Sequence, residues 1–380
     1  MAFEHYVRSG TKQLRMGYTT GACAALAASG AVRMLLTGIV PEAVSLLTPK
    51  GLSVDVPLHK CKKTDTGAMC AVQKDSGDDP DITNGCIVQA FVSLTGEEII
   101  IDGGEGVGRV TKPGLDRPVG DAAINTVPRR MIAEAVEAVC TEEGYDGGVR
   151  VVIAVPGGEE MARKTFNPAL GVEGGISILG TSGIVEPMSM QALVDTIELE
   201  IRQAVLSGVT RLVLTPGNIG KAFFQTLGVD ENRIRVVRCS NFIGEALDAA
   251  CAEHIPQVLL AGHTGKLVKI AGGIMQTHSR YADCRMELFC AHAALRGASQ
   301  RVCADIMDCA TTDAALDVLE EAHLAEAVLD SLATAVQKHL DRRAGQAPKT
   351  GAVLFSRDGE LVTYTKGAKE LLAEWKEQGT

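Results

Sequence analysis

A strand, a polar turn and a helix follow one another repeatedly in the second half of the sequence, and this repeat most restricts the possible fold. Apolar, strand-like runs at Arg211–Leu214, Ile234–Val237 and Gln257–Leu260 each lead into a polar turn and then a helical pattern. The predicted helices are Ile219–Leu227, Phe242–His254 and one that begins at Leu267–Ala271. The repeat length of about 20–25 residues is typical of βαβ units, which build a parallel sheet covered by helices. Because polar turns after parallel strands meet at one sheet edge, we expect ligand-binding side chains there.

Residues 261–287, which follow the third of these strands, gather many polar and charged side chains. The polar turn Gly262–Lys266 precedes an apolar run, Leu267–Ala271, which predicts the start of a helix. A core segment would not concentrate so many donors, so we interpret this stretch as the wall of a pocket for an anionic ligand. Its further polar residues are Thr277, His278, Ser279, Arg280, Asp283 and Arg285.

The turn differs from the known motifs that it superficially resembles. A phosphate-binding P-loop requires glycine at the position of Leu260 and Ser or Thr at that of Leu267, which argues against kinase or ATPase chemistry. No G-x-S-x-G elbow of a serine hydrolase is present. Nothing marks His263 and His278 as a pair of metal ligands, so we predict no metal site. Each is either a buried, hydrogen-bonded histidine or an imidazole that contacts a ligand.

A second candidate region is the irregular, glycine-rich stretch 102–130. Its glycines fail the G-x-G-x-x-G dinucleotide pattern, and Pro113 interrupts any helix at that point. Long loops in compact domains are usually functional or disordered. The cations Arg109, Lys112 and Arg129 give this loop a local basic character in an acidic protein, which favours an active-site loop.

Two further segments offer backbone groups to a ligand. Thr19 or Thr20 can cap the Ala-rich helix Ala24–Leu36, and a helix N-terminus with free N–H groups suits an anion. The apolar segment Gly174–Gly183 is bracketed by glycines, which would let a ligand lie against the backbone without obstruction by side chains.

The whole pattern predicts a protein of mixed α/β and α+β class. We expect an N-terminal α+β domain, residues 1–146, that carries the loop 102–130. It is followed by a doubly wound, Rossmann-like domain, residues 147–380, with a helical and hairpin C-terminal extension. We predict the hairpin from Gly351–Phe355 and Leu361–Tyr364. In this interpretation the β-branched run Val149–Val155 is a buried parallel strand of the second domain.

Composition narrows the classes of function. The chain has 37 Lys and Arg against 47 Asp and Glu, and its net charge of −10 argues against nucleic acid as a partner. None of the 11 cysteines forms a C-x-x-C pair, which indicates reduced thiols of a cytosolic protein rather than a zinc site. We find no signal peptide and no apolar run of the ~18 residues that span a bilayer, so we expect a cytoplasmic protein without a membrane partner.

Six motifs occur in order along the chain: Leu14–Cys23, Gly106–Leu115, Gly174–Gly183, Thr215–Asn218, Ser240–Gly244 and Gly262–Lys266. Together they resemble the CbiD family, the cobalt-precorrin-5B C-1 methyltransferases of the anaerobic route to cobalamin. The resemblance extends from about residue 14 to at least residue 290. One departure is Asn125–Pro128, where the family has Asn-Pro-x-Pro and this chain has Thr126 in place of the first proline.

The resemblance implies methyl transfer from S-adenosyl-L-methionine to C-1 of cobalt-precorrin-5B, giving cobalt-precorrin-6A, with cobalt only as part of the substrate. The carboxylates of this tetrapyrrole require cationic and hydroxyl donors. We expect substrate contacts from Thr19, Thr20, Arg109, Lys112, Arg129, Lys266, His278, Arg280 and Arg285. We expect cofactor contacts from Gly174, Gly175, Gly180, Thr181, Ser182, Gly183, Pro216, Gly217 and Asn218. His263 or Asp283 would handle a proton or orient the ring.

Several alternatives stay open. An imidazole could be an axial ligand of the substrate's cobalt. The protein could instead be a tetrapyrrole carrier that needs no cofactor, or a Rossmann oxidoreductase, although the failed glycine fingerprint counts against the latter. A homo-oligomer and transient contacts with neighbouring pathway enzymes also stay open.

Overall fold

The computed structural model of the chain describes residues 3–165, 167–217, 234–356 and 358–377. The chain forms two compact units, residues 1–190 and 191–380, which are close in size. The predicted helix Ile219–Leu227 and the predicted cofactor residue Asn218 lie outside the described residues.

Unit 1 combines strands with two long helices. Its strands are β1 (Tyr6–Ser9), β2 (Lys12–Arg15), β3 (Gly17–Tyr18), β4 (Ala43–Leu47), β5 (Ser53–Pro57), β6 (His59–Thr64), β7 (Gly67–Gln73), β8 (Ile87–Thr95), β9 (Ile100–Gly103), β10 (Arg109–Val110), β11 (Gly148–Ala154), β12 (Val172–Glu173) and β13 (Ile184–Val185). Its helices are α1 (Thr20–Thr37), α2 (Thr126–Glu142), α3 (Gly158–Ala162) and α4 (Asn167–Leu170). The main sheet has the order β6-β7-β8-β11-β9, and α1 packs against this sheet and against α2.

Helix α1 is the most apolar helix of unit 1. By length and composition alone it could cross a bilayer, with a mean hydropathy of 1.3 over 18 residues, so our expectation that no run qualifies is wrong. Ala22–Ala28 are fully shielded from solvent in the core of unit 1. The small side chains explain this burial, because they let α2 and the sheet approach closely: a Cβ at Gly21 would lie 2.8 Å from Pro128.

Unit 2 is built on a mixed five-stranded sheet. Its strands are β14 (Arg211–Thr215), β15 (Ile234–Arg238), β16 (Gln257–His263), β17 (Lys349–Phe355) and β18 (Leu361–Tyr364). Its helices are α5 (Met190–Leu206, which begins at the boundary), α6 (Ile243–Ala252), α7 (Thr264–Leu267), the 3-10 helix Val268–Gly272, α8 (Arg285–Leu295), α9 (Gln300–Met307), α10 (Thr312–Glu321), α11 (Ala325–Ala344) and α12 (Lys366–Glu377). The sheet order is β15-β14-β16-β17-β18; the first four strands are parallel and β18 is antiparallel.

Apolar residues point alternately to the two faces of this sheet, and helices cover both faces. On β14, Leu212 and Leu214 face a core shared with α6, α8 and α11, whereas Val213 faces a core shared with α12. A strand that is buried on both faces has a continuous run of apolar residues in its sequence, which is why β14 and β16 were predictable.

Two predictions about domain organisation are wrong. The boundary lies near residue 190 rather than at 146/147, because β11 pairs with β8 and β9 in the sheet of unit 1. The predicted C-terminal hairpin Gly351–Tyr364 is not an extension, since β17 pairs with β16 along its whole length inside the sheet of unit 2. In both cases a strand was recognised but its partner was not, because pairing partners far apart in the chain leave no local signal.

Candidate functional site

Three polar turns meet at the carboxyl edge of the unit 2 sheet, as predicted. They follow β14, β15 and β16. The backbone N–H of Cys239 donates to the carbonyl oxygen of Thr215 at 2.9 Å, which joins the first two turns. Lys266 Nζ donates to the carbonyl oxygen of Pro216 at 3.2 Å, which joins the third turn to the first. The order of the strands reverses between β14 and β16, and ligand crevices of open α/β sheets lie at such a point.

Lys266 provides the central positive charge of this edge. Its side chain is half-buried, and this burial lowers the pKa of its ammonium group. Two glycines lie beside it: a Cβ at Gly262 would lie 3.0 Å from the ring of Pro216, whereas a Cβ at Gly217 would meet no atom of the described residues within 4 Å. The edge therefore combines a cation with backbone that a ligand can approach.

His263 caps helix α7 with its ring. Nδ1 accepts a hydrogen bond from the backbone N–H of Gly265 at 2.9 Å, so the ring proton lies on Nε2. Nε2 is buried and has no hydrogen-bond partner among the residues that the structure describes. Nε2 is thus a potential hydrogen-bond donor, whereas Nδ1 already accepts the hydrogen bond from the turn.

An open cleft of about 380 Å³ lies beside these turns. Asn241 and Thr277 form its inner wall and are joined by two hydrogen bonds, from Thr277 N to Asn241 O at 3.0 Å and between their side chains at 3.2 Å. His278 lines the cleft with an exposed ring whose Nδ1 accepts from the backbone N–H of Arg280 at 3.1 Å. As in His263, the ring proton therefore lies on Nε2, which does not suit a metal ligand.

Asp283 and Arg285 pair with each other, which changes the role predicted for both. Arg285 Nε and Nη2 donate to the two carboxylate oxygens of Asp283, each at 2.8 Å. This pairing lowers the pKa of Asp283. A carboxylate held ionised by a guanidinium is a poor carrier of protons near neutrality, and two of the five guanidinium donors are already used on Asp283.

Lys269 is a polar residue of the cleft that the sequence interpretation missed. It is only 3% exposed, in the 3-10 helix, and its ammonium donates to the carbonyl oxygens of Thr277 at 3.2 Å and of Ala282 at 2.9 Å. The signal that could have found it is a lysine within the apolar run Leu267–Ala271, because a buried cation requires partners.

In unit 1, two arginines of the predicted basic loop donate hydrogen bonds to backbone carbonyl oxygens. Arg109 pairs with Asp102 at 2.9 Å and donates to the carbonyl oxygen of Gly103 at 2.9 Å. Arg129 donates to two further carbonyls, at 2.9 and 2.7 Å, and burial lowers its pKa. Arg129 therefore holds the loop together, whereas Arg109 and Lys112 are exposed at its surface.

Thr19 and Thr20 are buried and make internal hydrogen bonds. Thr19 Oγ1 accepts from Ala22 N at 3.2 Å as the N-cap of α1, and Thr20 Oγ1 accepts from Leu179 N at 2.9 Å. Gly21 N donates to the Leu179 carbonyl at 3.1 Å. The backbone N–H groups of Gly21 and Ala22 are therefore used within the chain and are not available to the expected anion.

The glycine-bracketed segment of unit 1 is packed by its own chain. A Cβ at Gly175 would lie 2.2 Å from the carbonyl oxygen of Gly106, one at Gly180 would lie 2.4 Å from Thr19, and one at Gly183 would lie 2.8 Å from Thr48. Close packing of backbone therefore explains these three glycines without a ligand. Of the other predicted cofactor residues here, Gly174 faces open space, Thr181 is exposed, and Ser182 bonds to the backbone of Ile184.

The predicted residues thus fall into two groups. Lys266, His278, Pro216 and Gly217 lie at the sheet edge and cleft of unit 2, with Arg280 exposed beside them, whereas the glycine segment belongs to unit 1. Within the described ranges, no group of three or more His, Cys, Asp or Glu side chains could hold a metal ion.

The fold and the cleft define a mixed α/β protein with a cationic site at a sheet edge. The sequence profile described as CbiD matches residues 7–187, and that described as CbiD, C-terminal domain, matches residues 276–366. A protein of Ruminiclostridium cellulolyticum named cobalt-precorrin-5B C(1)-methyltransferase is 45% identical, with 98% of both chains covered. The chain belongs to the CbiD family.

Two other similar proteins complete this comparison. A protein of the same name from Alkaliphilus metalliredigens is 40% identical, with 99% of both chains covered. The crystal structure of the cobalamin biosynthesis protein cbiD from Archaeoglobus fulgidus is 30% identical and superposes with a TM-score of 0.41, covering 72% of this chain and 86% of that one.

Proposed function

We propose that this protein is an S-adenosyl-L-methionine-dependent methyltransferase that methylates C-1 of cobalt-precorrin-5B to give cobalt-precorrin-6A. The observation that carries the proposal is the similarity along nearly the whole chain to proteins named cobalt-precorrin-5B C(1)-methyltransferase. Both units are covered by that similarity.

The cleft of unit 2 is the proposed binding site for carboxylates of the tetrapyrrole. Lys266 supplies a positive charge, and His278, with its proton on Nε2, supplies a neutral donor. Charge-assisted hydrogen bonds of this kind are the usual means of holding carboxylates. The exposed guanidinium of Arg280 follows His278 closely in the chain and is a third candidate contact.

We place the methyl donor at the point where the strand order of unit 2 reverses, in a Rossmann-like arrangement of this sheet. The absent side chain of Gly262, and the space that the described residues leave at Gly217, fit a ligand that needs close backbone approach. The donor, when bound, supplies a methyl group that its sulfonium already makes electrophilic. The chain's own residues then orient the ring, because no nucleophile from the protein is required.

A cytoplasmic location is part of the proposal. The apolar side chains of α1 are packed inside unit 1, and the 11 cysteines are free thiols, as in proteins of reducing compartments. Cell fractionation with detection of the protein in the membrane fraction would contradict this part.

The deciding experiment is incubation of the purified protein with methyl-labelled S-adenosylmethionine and cobalt-precorrin-5B. Label at C-1 of the product is expected. Tight tetrapyrrole binding without binding of the methyl donor would instead indicate a carrier, and label at another ring carbon would reassign the reaction.

The donor site has a separate test. Gly217→Val should weaken binding of S-adenosylhomocysteine, measured by calorimetry, because the added methyl groups enter the open space at the sheet edge. Gly96→Val in unit 1 is the matched control, since Gly96 also has no described atom within 4 Å of an added Cβ and no positive φ, whereas Gly174→Val, at φ of +81°, tests the alternative site in unit 1. Loss of binding in Gly174→Val alone would move the donor site to unit 1.

A further inference from the structure

The ammonium of Lys269 joins both ends of the segment that carries His278 and Arg280. Its two acceptors, the carbonyl oxygens of Thr277 and Ala282, lie directly before and after residues 278–281. The carboxylate of Asp283 lies 3.9 Å from the same nitrogen. One buried side chain therefore closes the segment into a loop.

The first end of this segment has further support, since His278 N donates to Gln276 Oε1 at 3.0 Å. The side chains of His278, Ser279 and Arg280 are exposed, so they contribute little packing. The hydrogen bonds from Arg280 N to His278 Nδ1 and from Tyr281 N to His278 O stay within the segment. Its first end is also fixed through Thr277 and Asn241, but the Ala282 carbonyl depends on Lys269.

Placing an ammonium in the interior costs free energy that its hydrogen bonds only partly offset. An apolar side chain would fill the same space at lower cost, whereas the ammonium uses two of its three donors on the two carbonyl oxygens that flank the segment. We propose that Lys269 is a positioning residue: it holds the 278–281 segment so that His278 and Arg280 face the carboxylates of the tetrapyrrole. This inference rests on the proposed function.

The test compares Lys269→Met with Lys338→Met, which removes an exposed lysine of α11. Hydrogen exchange of the 278–282 amides should become about tenfold faster in Lys269→Met, while β14 and β16 keep wild-type exchange. The KM for the tetrapyrrole should rise about 10- to 100-fold, with kcat changed much less, because a misplaced loop weakens substrate binding. Lys338→Met should match the wild type in both measurements.

Lys269→Gln provides a second variant in case the methionine variant does not fold. Its neutral amide group can still donate a hydrogen bond to a carbonyl oxygen. An exchange rate and a KM between those of the wild type and Lys269→Met are therefore expected. Unchanged exchange at 278–282, an unchanged KM, or faster exchange throughout unit 2 would overturn the proposal. Exchange needs no catalysis, so faster exchange together with an inactive wild-type enzyme would overturn only the proposed function.

Discussion

The glycine segment of unit 1 and the polar turns of unit 2 look equally suited to a ligand in sequence, but the structure uses them differently. In unit 1, residues 174–183 lie where a side chain at Gly175 or Gly180 would strike the chain's own atoms. In unit 2, Lys266 and His278 line an open cleft. Glycine therefore indicates close approach of something to the backbone, but only the surroundings show whether that is ligand or protein.

The largest effect, a loss of stability, is expected when a side chain is added where the backbone of unit 1 is closely packed. Gly106→Ala places a Cβ 1.9 Å from the carbonyl oxygen of Val155 in a residue with φ of +70°. The overpacking and the backbone strain together should lower the free energy of unfolding by about 3 kcal/mol or more. Chemical denaturation measures this change.

Gly120→Ala is the control for Gly106→Ala. Gly120 has φ of +95° but no atom near the added Cβ, so only the backbone strain remains, about 1 kcal/mol. Equal losses in the two variants would show that close packing does not explain the glycines of unit 1.

The next largest effect is expected on ligand binding at the cleft of unit 2. Lys266→Met removes the cation at the sheet edge and should weaken binding of uroporphyrin, a stable polycarboxylated tetrapyrrole, by roughly 10- to 100-fold, the value of a charge-assisted hydrogen bond. Fluorescence titration measures the affinity. Arg109→Met in unit 1 serves as the contrast: a larger loss there would place carboxylate recognition in unit 1.

The pH dependence of binding sharpens the same comparison. Burial lowers the pKa of Lys266, so the ammonium loses its proton at a lower pH than an ordinary lysine. Affinity for the anionic ligand should therefore be full below this lowered pKa and fall as the pH rises through it. Lys266→Arg, which stays charged, should remove the fall; an identical pH profile in that variant would assign the titration to another group.

The smallest effect is expected at Asp283. Because its carboxylate is exposed and already paired with Arg285, Asp283→Asn should change the rate of methyl transfer by less than about fivefold. Loss of a general base would cost about 10²- to 10⁴-fold. Asp305→Asn on α9, at another exposed ion pair, is the control. A large loss at Asp283 alone would restore the catalytic role first predicted for it.

The sequence was sufficient for elements whose signal is local. The predicted strand Ile234–Val237 and helix Phe242–His254 agree with β15 and α6 to within one or two residues, because apolar runs and turns set those boundaries. The same pattern predicted that the three polar turns of unit 2 lie at one edge of the sheet. The run Val149–Val155 was placed in the wrong unit, since its β-branched residues say that it is buried but not beside which strand.

The site was less predictable, for a physical reason. Residue type shows which groups can bind an anion, but not whether other parts of the chain already use them. Arg129 and Arg285 are cations of the right type, but Arg129 already donates to backbone carbonyl oxygens and Arg285 already donates to Asp283. Lys269 has the same chemistry and was overlooked because its neighbours in sequence are apolar.

The position of β17 has a consequence for how the protein is made. This strand lies next to β16, yet it follows β16 only after α7 to α11 have been synthesised. Domains generally fold as units during synthesis, the first ones before the rest of the chain is complete. Unit 1 can therefore reach its native state on the ribosome, whereas the nascent unit 2 exposes an unpaired edge of β16 until β17 emerges.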